Sequence, residues 1–201
     1  MDRFWSLSRI SNRRSVTVKS LLVALGCCLA LAAWGFAAAG GFRLLSPAWH
    51  EGGTVPQENV LNGSGCGGAN VSPEFHWSGA PTGSKSFAIT ILDLDAPARG
   101  GWWHWVIFNI PETASGLPAG AGNKGSKALP PGSVQCQNDY GEPGYGGPCP
   151  PPGTIHRYLV RVYALNVKKL ALGSDTPPAK LAALIEEHSI GVAQLTAKYG
   201  R

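Results

Sequence analysis

Residues 85–94 read KSFAITILDL and residues 102–110 read WWHWVIFNI. Both runs are rich in β-branched and aromatic residues and free of glycine and proline, the composition of strands buried on both faces. Between them Pro97 holds Ala96 extended, and Gly100 and Gly101 permit tight backbone angles. The pair predicts two strands joined by a turn, the second ended by Pro111. A third run, residues 157–167 (RYLVRVYALNV), alternates. Alternation places His156, Tyr158, Val160 and Val162 on one face and Arg157, Leu159, Arg161 and Tyr163 on the other.

Outward from these strands the punctuation changes. Residues 41–84 mix short apolar pieces with turn formers such as Asn62-Gly63 and Asn70-Val71-Ser72-Pro73, which predicts irregular or hairpin-like structure. Residues 112–153 form a long connection crowded with Gly, Pro, Asn and Ser, the kind of loop that is either functional or disordered. Near the end, Asp175 or Thr176 is placed to cap a helix whose first turn takes Pro177 and Pro178. Leu181, Leu184, Ile185 and His188 follow at helical spacing, giving one amphipathic helix to cover the sheet. With 201 residues, 27 Gly, 16 Pro and 14% charged residues, the chain suits one mainly β domain with many turns.

Four of the five net positive charges lie in the first twenty residues, where Arg3, Arg9, Arg13, Arg14 and Lys19 face only Asp2. The remaining body is close to neutral and has no general pull on a polyanion, which argues against nucleic acid as a partner. The basic stretch is followed by the uncharged apolar run 21–39, ending in Ala37-Ala38-Ala39. That layout predicts a signal peptide over residues 1–39 with cleavage after Ala39, and an extracytoplasmic domain over 40–201. The alternative is an uncleaved anchor, which would be the chain's one contact with a membrane. Cys27 and Cys28 fall in this segment. Cys66, Cys136 and Cys149 remain, and in an oxidising compartment any two of them can pair.

The chemistry-bearing residues cluster at predicted strand ends. If the first strand runs to its end, Asp93 and Asp95 project to one side and Leu94 to the other. His104 sits among Trp102, Trp103, Trp105, Val106 and Phe108, where an imidazole needs a partner. His156 opens the third strand, with Tyr158 two residues on. Imidazole and phenol can donate to a phosphate or carboxylate, and neighbouring aspartates favour the cationic imidazole. Two histidines with carboxylates also suit a metal or acid/base centre, so a hydrolase is the alternative. No HExxH-like or other compact ligand spacing is present, so no catalytic residue, metal or cofactor is expected. The GxGxxG match at 63–68 lacks a β-α unit around it and reads as a loop. Asn62 and Asn70 each open an Asn-x-Ser triplet.

The segments DLDAP (93–97), GGWWHWVIFNIP (100–111) and YGGPCPPPGTIHRYLVRVYAL (145–165) resemble the two signature regions of the phosphatidylethanolamine-binding proteins, in their bacterial Raf-kinase-inhibitor-like branch. NVSPEFHWSGAPTGSKSFAI (70–89), NDYGEPGYGGP (138–148) and the terminal AKYGR extend the likeness over residues 66–201. The resemblance implies an antiparallel β-sandwich with a C-terminal helix and long loops. It also implies a ligand pocket of Asp93, Asp95, His104, His156 and Tyr158, rimmed by residues 146–148, including Gly147 and Pro148, and by residues 150–153. The implied ligand is a small anion or a phospholipid head group, and the implied partner a kinase or protease that the protein inhibits. The chain departs from the family in having Asp-Leu-Asp where Asp-Pro-Asp is usual. Its proline loop is also shorter than in eukaryotic members, so their head-group preference does not transfer.

Overall fold

Strand β5 (Ser86–Asp93) is the spine of the molecule. It lies between β6 (Trp102–Pro111) and β9 (Ile155–Leu165), antiparallel to both, and so is buried on both faces as its composition predicts. Strands β8 (Val134–Gln135) and β10 (Ser189–Gly200) extend this sheet to five strands in the order β10-β9-β5-β6-β8. A second antiparallel sheet is made by β1 (Arg43–Leu45), β4 (Phe75–Ser78) and β7 (Gly116–Leu117), in the order β1-β4-β7. A short hairpin, β2 (Asn62–Gly63) with β3 (Cys66–Gly67), occupies the GxGxxG stretch. The computed structural model describes residues 41–201, so the expected signal or anchor at 1–39 lies outside the described residues.

The strand period divides the apolar residues between two cores. Phe87, Ile89 and Ile91 of β5 join Tyr158, Val160 and Val162 of β9 and Trp105 and Ile107 of β6, facing Leu44, Phe75, Trp77 and Leu117 of the small sheet. The opposite face of the large sheet presents Ala88, Val106, Phe108, Tyr163 and Leu165. The helix α1 (Pro178–Glu187) covers it with Leu181 and Ile185. The expected cap by Asp175 or Thr176 is not formed: the N-cap is Pro177, and no side chain caps the helix. Pro178 at the first helical position has no N–H to satisfy, which removes one of the donors a cap serves. No helix among the described residues is long and apolar enough to cross a membrane.

Strands β5 and β6 do not pair residue for residue. Ile91 faces Trp105 but Leu92 faces Trp103, which leaves His104 as an extra residue in β6. Such a bulge changes which way the side chains beyond it point. Regular alternation would put His104 with Val106 and Phe108 on the helix-covered face. The bulge puts it instead with Trp102, which pairs with Asp93. A second irregularity lies between the pairs Phe87–Ile110 and Ile89–Ile107. There Asn109 takes a φ of 56°, and its side-chain amide bonds both the N–H and the carbonyl of Leu170, at 2.8 and 3.1 Å.

Candidate functional site

The end of β5 is where the side chains converge. Asp93, the last residue of the strand and almost fully buried, uses its two oxygens differently. Oδ1 accepts the backbone N–H of Asp95 (2.9 Å) and of Ala96 (3.1 Å), an aspartate turn that bends the chain out of the strand. Oδ2 accepts Nδ1–H of His156 at 2.7 Å and lies 4.0 Å from Nε2 of His104. Because the chain turns immediately, Asp95 does not share a side with Asp93. Its carboxylate instead clamps Arg157, taking the backbone N–H at 2.8 Å and the guanidinium at 2.8 and 2.6 Å. Arg157 stands on the face of β9 opposite His156. The Arg157 guanidinium holds the Asp95 carboxyl below its ordinary range. The two-apart spacing thus separates the carboxylates instead of joining them, since extended geometry ends at Asp93.

His104 is fixed from the other side. Its Nδ1 lies 2.6 Å from the carbonyl of Gly146, and a carbonyl only accepts, so Nδ1 carries the hydrogen. Nε2 then bears the lone pair of the neutral ring, and it is buried with no hydrogen-bond partner among the described residues. Burial pushes His104 down to about 4, against the raising effects of the Gly146 carbonyl and of Asp93. This reverses the cationic state expected from the neighbouring aspartates: removal from water outweighs the attraction of the carboxylate. Tyr158 packs edge-on against His104 with ring centres 5.1 Å apart, and its hydroxyl is buried on the Asp93 side without a close hydrogen-bond partner among the described residues. Burial first, then Asp93, raises that phenol well above its ordinary value.

The loop that presents the Gly146 carbonyl is built for close approach. A side chain at Gly146 would collide with Tyr140, and one at Gly147 with the backbone of Asn59 and Val60. Asn70, in the left-handed conformation that asparagine tolerates, accepts the Gly147 N–H (2.7 Å) and donates to the Tyr145 carbonyl (3.3 Å). Its amide is a structural tie, which leaves the Asn-x-Ser triplet there no free acceptor nitrogen. Cys149, two residues beyond Gly147, forms a disulfide with Cys66 of the hairpin, while Cys136 is buried and free, its thiol raised to about 12 by burial. Arg201 joins the same two pieces, donating to the carbonyls of Pro150 (2.8 Å) and Gly65 (2.7 Å).

These groups surround a cavity of about 320 Å³, lined by Asp93, His104 and His156 on one side. Ala96, Pro97 and Ala98, the aromatic rings of Trp102 and Tyr140, and Cys149, Pro150 and Pro151 complete it. Of the residues expected from the sequence, Asp93, His104 and His156 line this cavity. Tyr158 packs against His104 outside the lining, Asp95 points away, and Gly147 and Pro148 are not in the lining, where Cys149, Pro150 and Pro151 stand instead. Trp102 and Tyr140 were missed as walls. Their signal was present in the segments that carry the family likeness, but only the bulge and the loop's return make them neighbours, with ring centres 5.4 Å apart.

A two-sheet β-sandwich with a small, largely apolar cavity at the end of its central strands, holding an Asp and two His, defines a ligand-binding class of protein. The family model of phosphatidylethanolamine-binding protein matches residues 45–200, and the chain belongs to that family. It is 41% identical over 164 residues to the UPF0098 protein YbcL of Escherichia coli, covering 81% of this chain and 90% of that one. It is 38% identical over 157 residues to the UPF0098 protein YbhB of the same organism, covering 78% and 99%. The crystal structure of YbcL, described as a new member of the mammalian PEBP family, superposes with a TM-score of 0.78 at 40% identity, over 80% of this chain and 98% of that one. A PEBP homolog from Chlamydia trachomatis, CT736, gives 0.66 at 30% identity, over 80% and 98%.

Proposed function

We propose that the protein is an extracytoplasmic binding module whose cavity takes a small oxyanion, a phosphate or carboxylate of the kind a phospholipid head group carries. The observation that carries this reading is the convergence on one cavity of the indole N–H of Trp102, buried with no partner among the described residues, and of His104 beside the Asp93–His156 pair. Buried polar atoms are almost always satisfied, and a site held ready for a ligand is a recurrent exception. The indole N–H of Trp102 can only donate, which suits an oxygen of the ligand. A cavity of about 320 Å³ is of a size to take a head group. The Cys66–Cys149 bridge supports an oxidising compartment. Titration calorimetry with phosphorylethanolamine tests the reading. The expected outcome is binding that is lost in His156→Ala, and heat unchanged by that substitution would sink the proposed site.

A further inference from the structure

Strands β5 and β6 connect two unlike ends of the molecule. Asp93 and Trp102 stand at the cavity end; Lys85, just before β5, and Pro111, the last residue of β6, stand at the other. The eight extended residues of β5 separate these ends by roughly 25 Å. At the far end is a hollow of about 340 Å³ with Lys85, Lys168 and Lys169 in its wall and Glu112 as the one acidic residue beside them. The Lys and Arg ion pairs among the described residues use Lys124, Arg157 and Arg161, and none of these three lysines. The backbone that carries Lys168 and Lys169 is fastened on both sides. Ser86 Oγ donates to the Val167 carbonyl at 2.6 Å, the Asn166 N–H donates to the His188 carbonyl at 3.0 Å, and Asn109 brackets Leu170. Three ammonium groups against one carboxylate leave this pole positive on a near-neutral body.

The described chain also begins at this pole. Phe42 packs on Phe87 near the start of β5, with ring centres 6.3 Å apart, and a side chain at Gly191 would touch Phe42. Ile190, 38% exposed, stands beside Gly83 in the loop that leads into Lys85. Upstream of Gly41 the sequence carries the uncharged apolar run 21–39, so the domain is joined to that run by its lysine pole, with the cavity at the far end. We propose that the lysine pole docks on an anionic lipid surface, with Ile190 as an apolar contact and the cavity turned away from the bilayer toward solvent. Exposed lysines drawn from the ends of separate elements suit several head groups side by side, and the apolar run joined at the same pole favours a bilayer over a soluble anion. A lysine near an anionic membrane strengthens partitioning about fivefold, and salt screens the attraction. The proposal goes beyond the ligand reading and does not depend on what the cavity binds.

The test is the fluorescence of a polarity-sensitive label on the full chain, attached in Ile190→Cys at the lysine pole or in Ile155→Cys at the cavity end, where Ile155 is 71% exposed. Vesicles of phosphatidylcholine alone are compared with vesicles of phosphatidylcholine and phosphatidylglycerol in equal parts. The label at 190 is expected to shift to the blue at a lower concentration of mixed lipid than of phosphatidylcholine, and added salt is expected to reverse the preference. The label at 155 is expected to stay in water. Lys168→Gln combined with Lys169→Gln is expected to raise the half-saturating concentration of mixed lipid at least about tenfold, and Lys85→Gln, on a different element, about fivefold. Affinity within about twofold of the unaltered chain in both variants, no preference for the mixed vesicles, or a blue shift at 155 overturns the proposal. Release of the label by glycerol phosphate at a concentration matching the lipid overturns it in favour of a site for soluble anions. Calorimetry with phosphorylethanolamine on the double variant keeps the two readings apart. Heat equal to that of the unaltered chain shows the fold intact, and if neither chain binds, the cavity reading fails while the docking is still decided on the vesicles.

Discussion

At the scale of single residues, the site depends on which atoms are left without partners. Most buried polar groups here are tied: Asn59 receives the indole N–H of Trp49 at 2.9 Å and donates to the Val71 carbonyl, and Asn138 holds the 140–144 turn. Tyr158 Oη is an exception, and a hydroxyl buried without a partner costs about 1–3 kcal/mol. Tyr158→Phe is therefore expected to leave the melting temperature unchanged or to raise it by a few degrees, which thermal denaturation followed by circular dichroism measures. A fall of more than about 3 °C, on the order of 1 kcal/mol for a domain of this size, means the hydroxyl has a partner. The sequence made His104, His156 and Asp93 legible as candidates because polar residues in apolar strands demand an explanation. It did not reveal the orientation of Asp95, which depends on where β5 stops, nor the charge of His104, which depends on how completely the sheet buries it.

At the scale of elements, the three long strands were legible because each is an unbroken β-branched or aromatic run. Strand β10 was not: Ala193, Leu195 and Ala197 do alternate inward, but Gly191 and two small alanines give little apolar signal, and pairing along β9 makes the strand. The bulge at His104 was equally hidden, since only the register against β5 reveals it. The hairpin and the cavity rim depend on a different constraint, the Cys66–Cys149 bridge, which closes 83 residues of chain. Restricting the unfolded chain over such a loop contributes roughly 2–4 kcal/mol. A thiol reductant, or the Cys66→Ser and Cys149→Ser pair, is expected to lower unfolding free energy in urea by that amount. Because Cys149 lines the cavity, the same treatment is expected to weaken phosphorylethanolamine binding; affinity unaffected by reduction means the hydrogen bonds from Arg201 and Asn70 suffice to hold the rim.

At the scale of the whole molecule, the large sheet separates two tasks. One face and the small sheet make the main core and, at its edge, the cavity; the other face packs under α1. Stability and site are nonetheless linked through pH. The folded chain holds His104 near 4, whereas the unfolded chain returns it to its ordinary value of 6.5. Between these values the unfolded state binds the extra proton, so this contribution is fully present above about pH 6.5, is lost as pH falls, and levels off near pH 4. Urea unfolding from pH 7 to 4 is expected to show a steeper loss for the unaltered protein than for His104→Gln; parallel curves would show that the ring is not held neutral by the fold. The exposed turns around Lys124 and Gly132 are natural points of attack for a protease, and both lie inside the span that the Cys66–Cys149 bridge encloses. A single backbone cut there leaves the two fragments covalently joined, with the cavity rim still fastened to the hairpin, so a nicked molecule need not be a dismantled one.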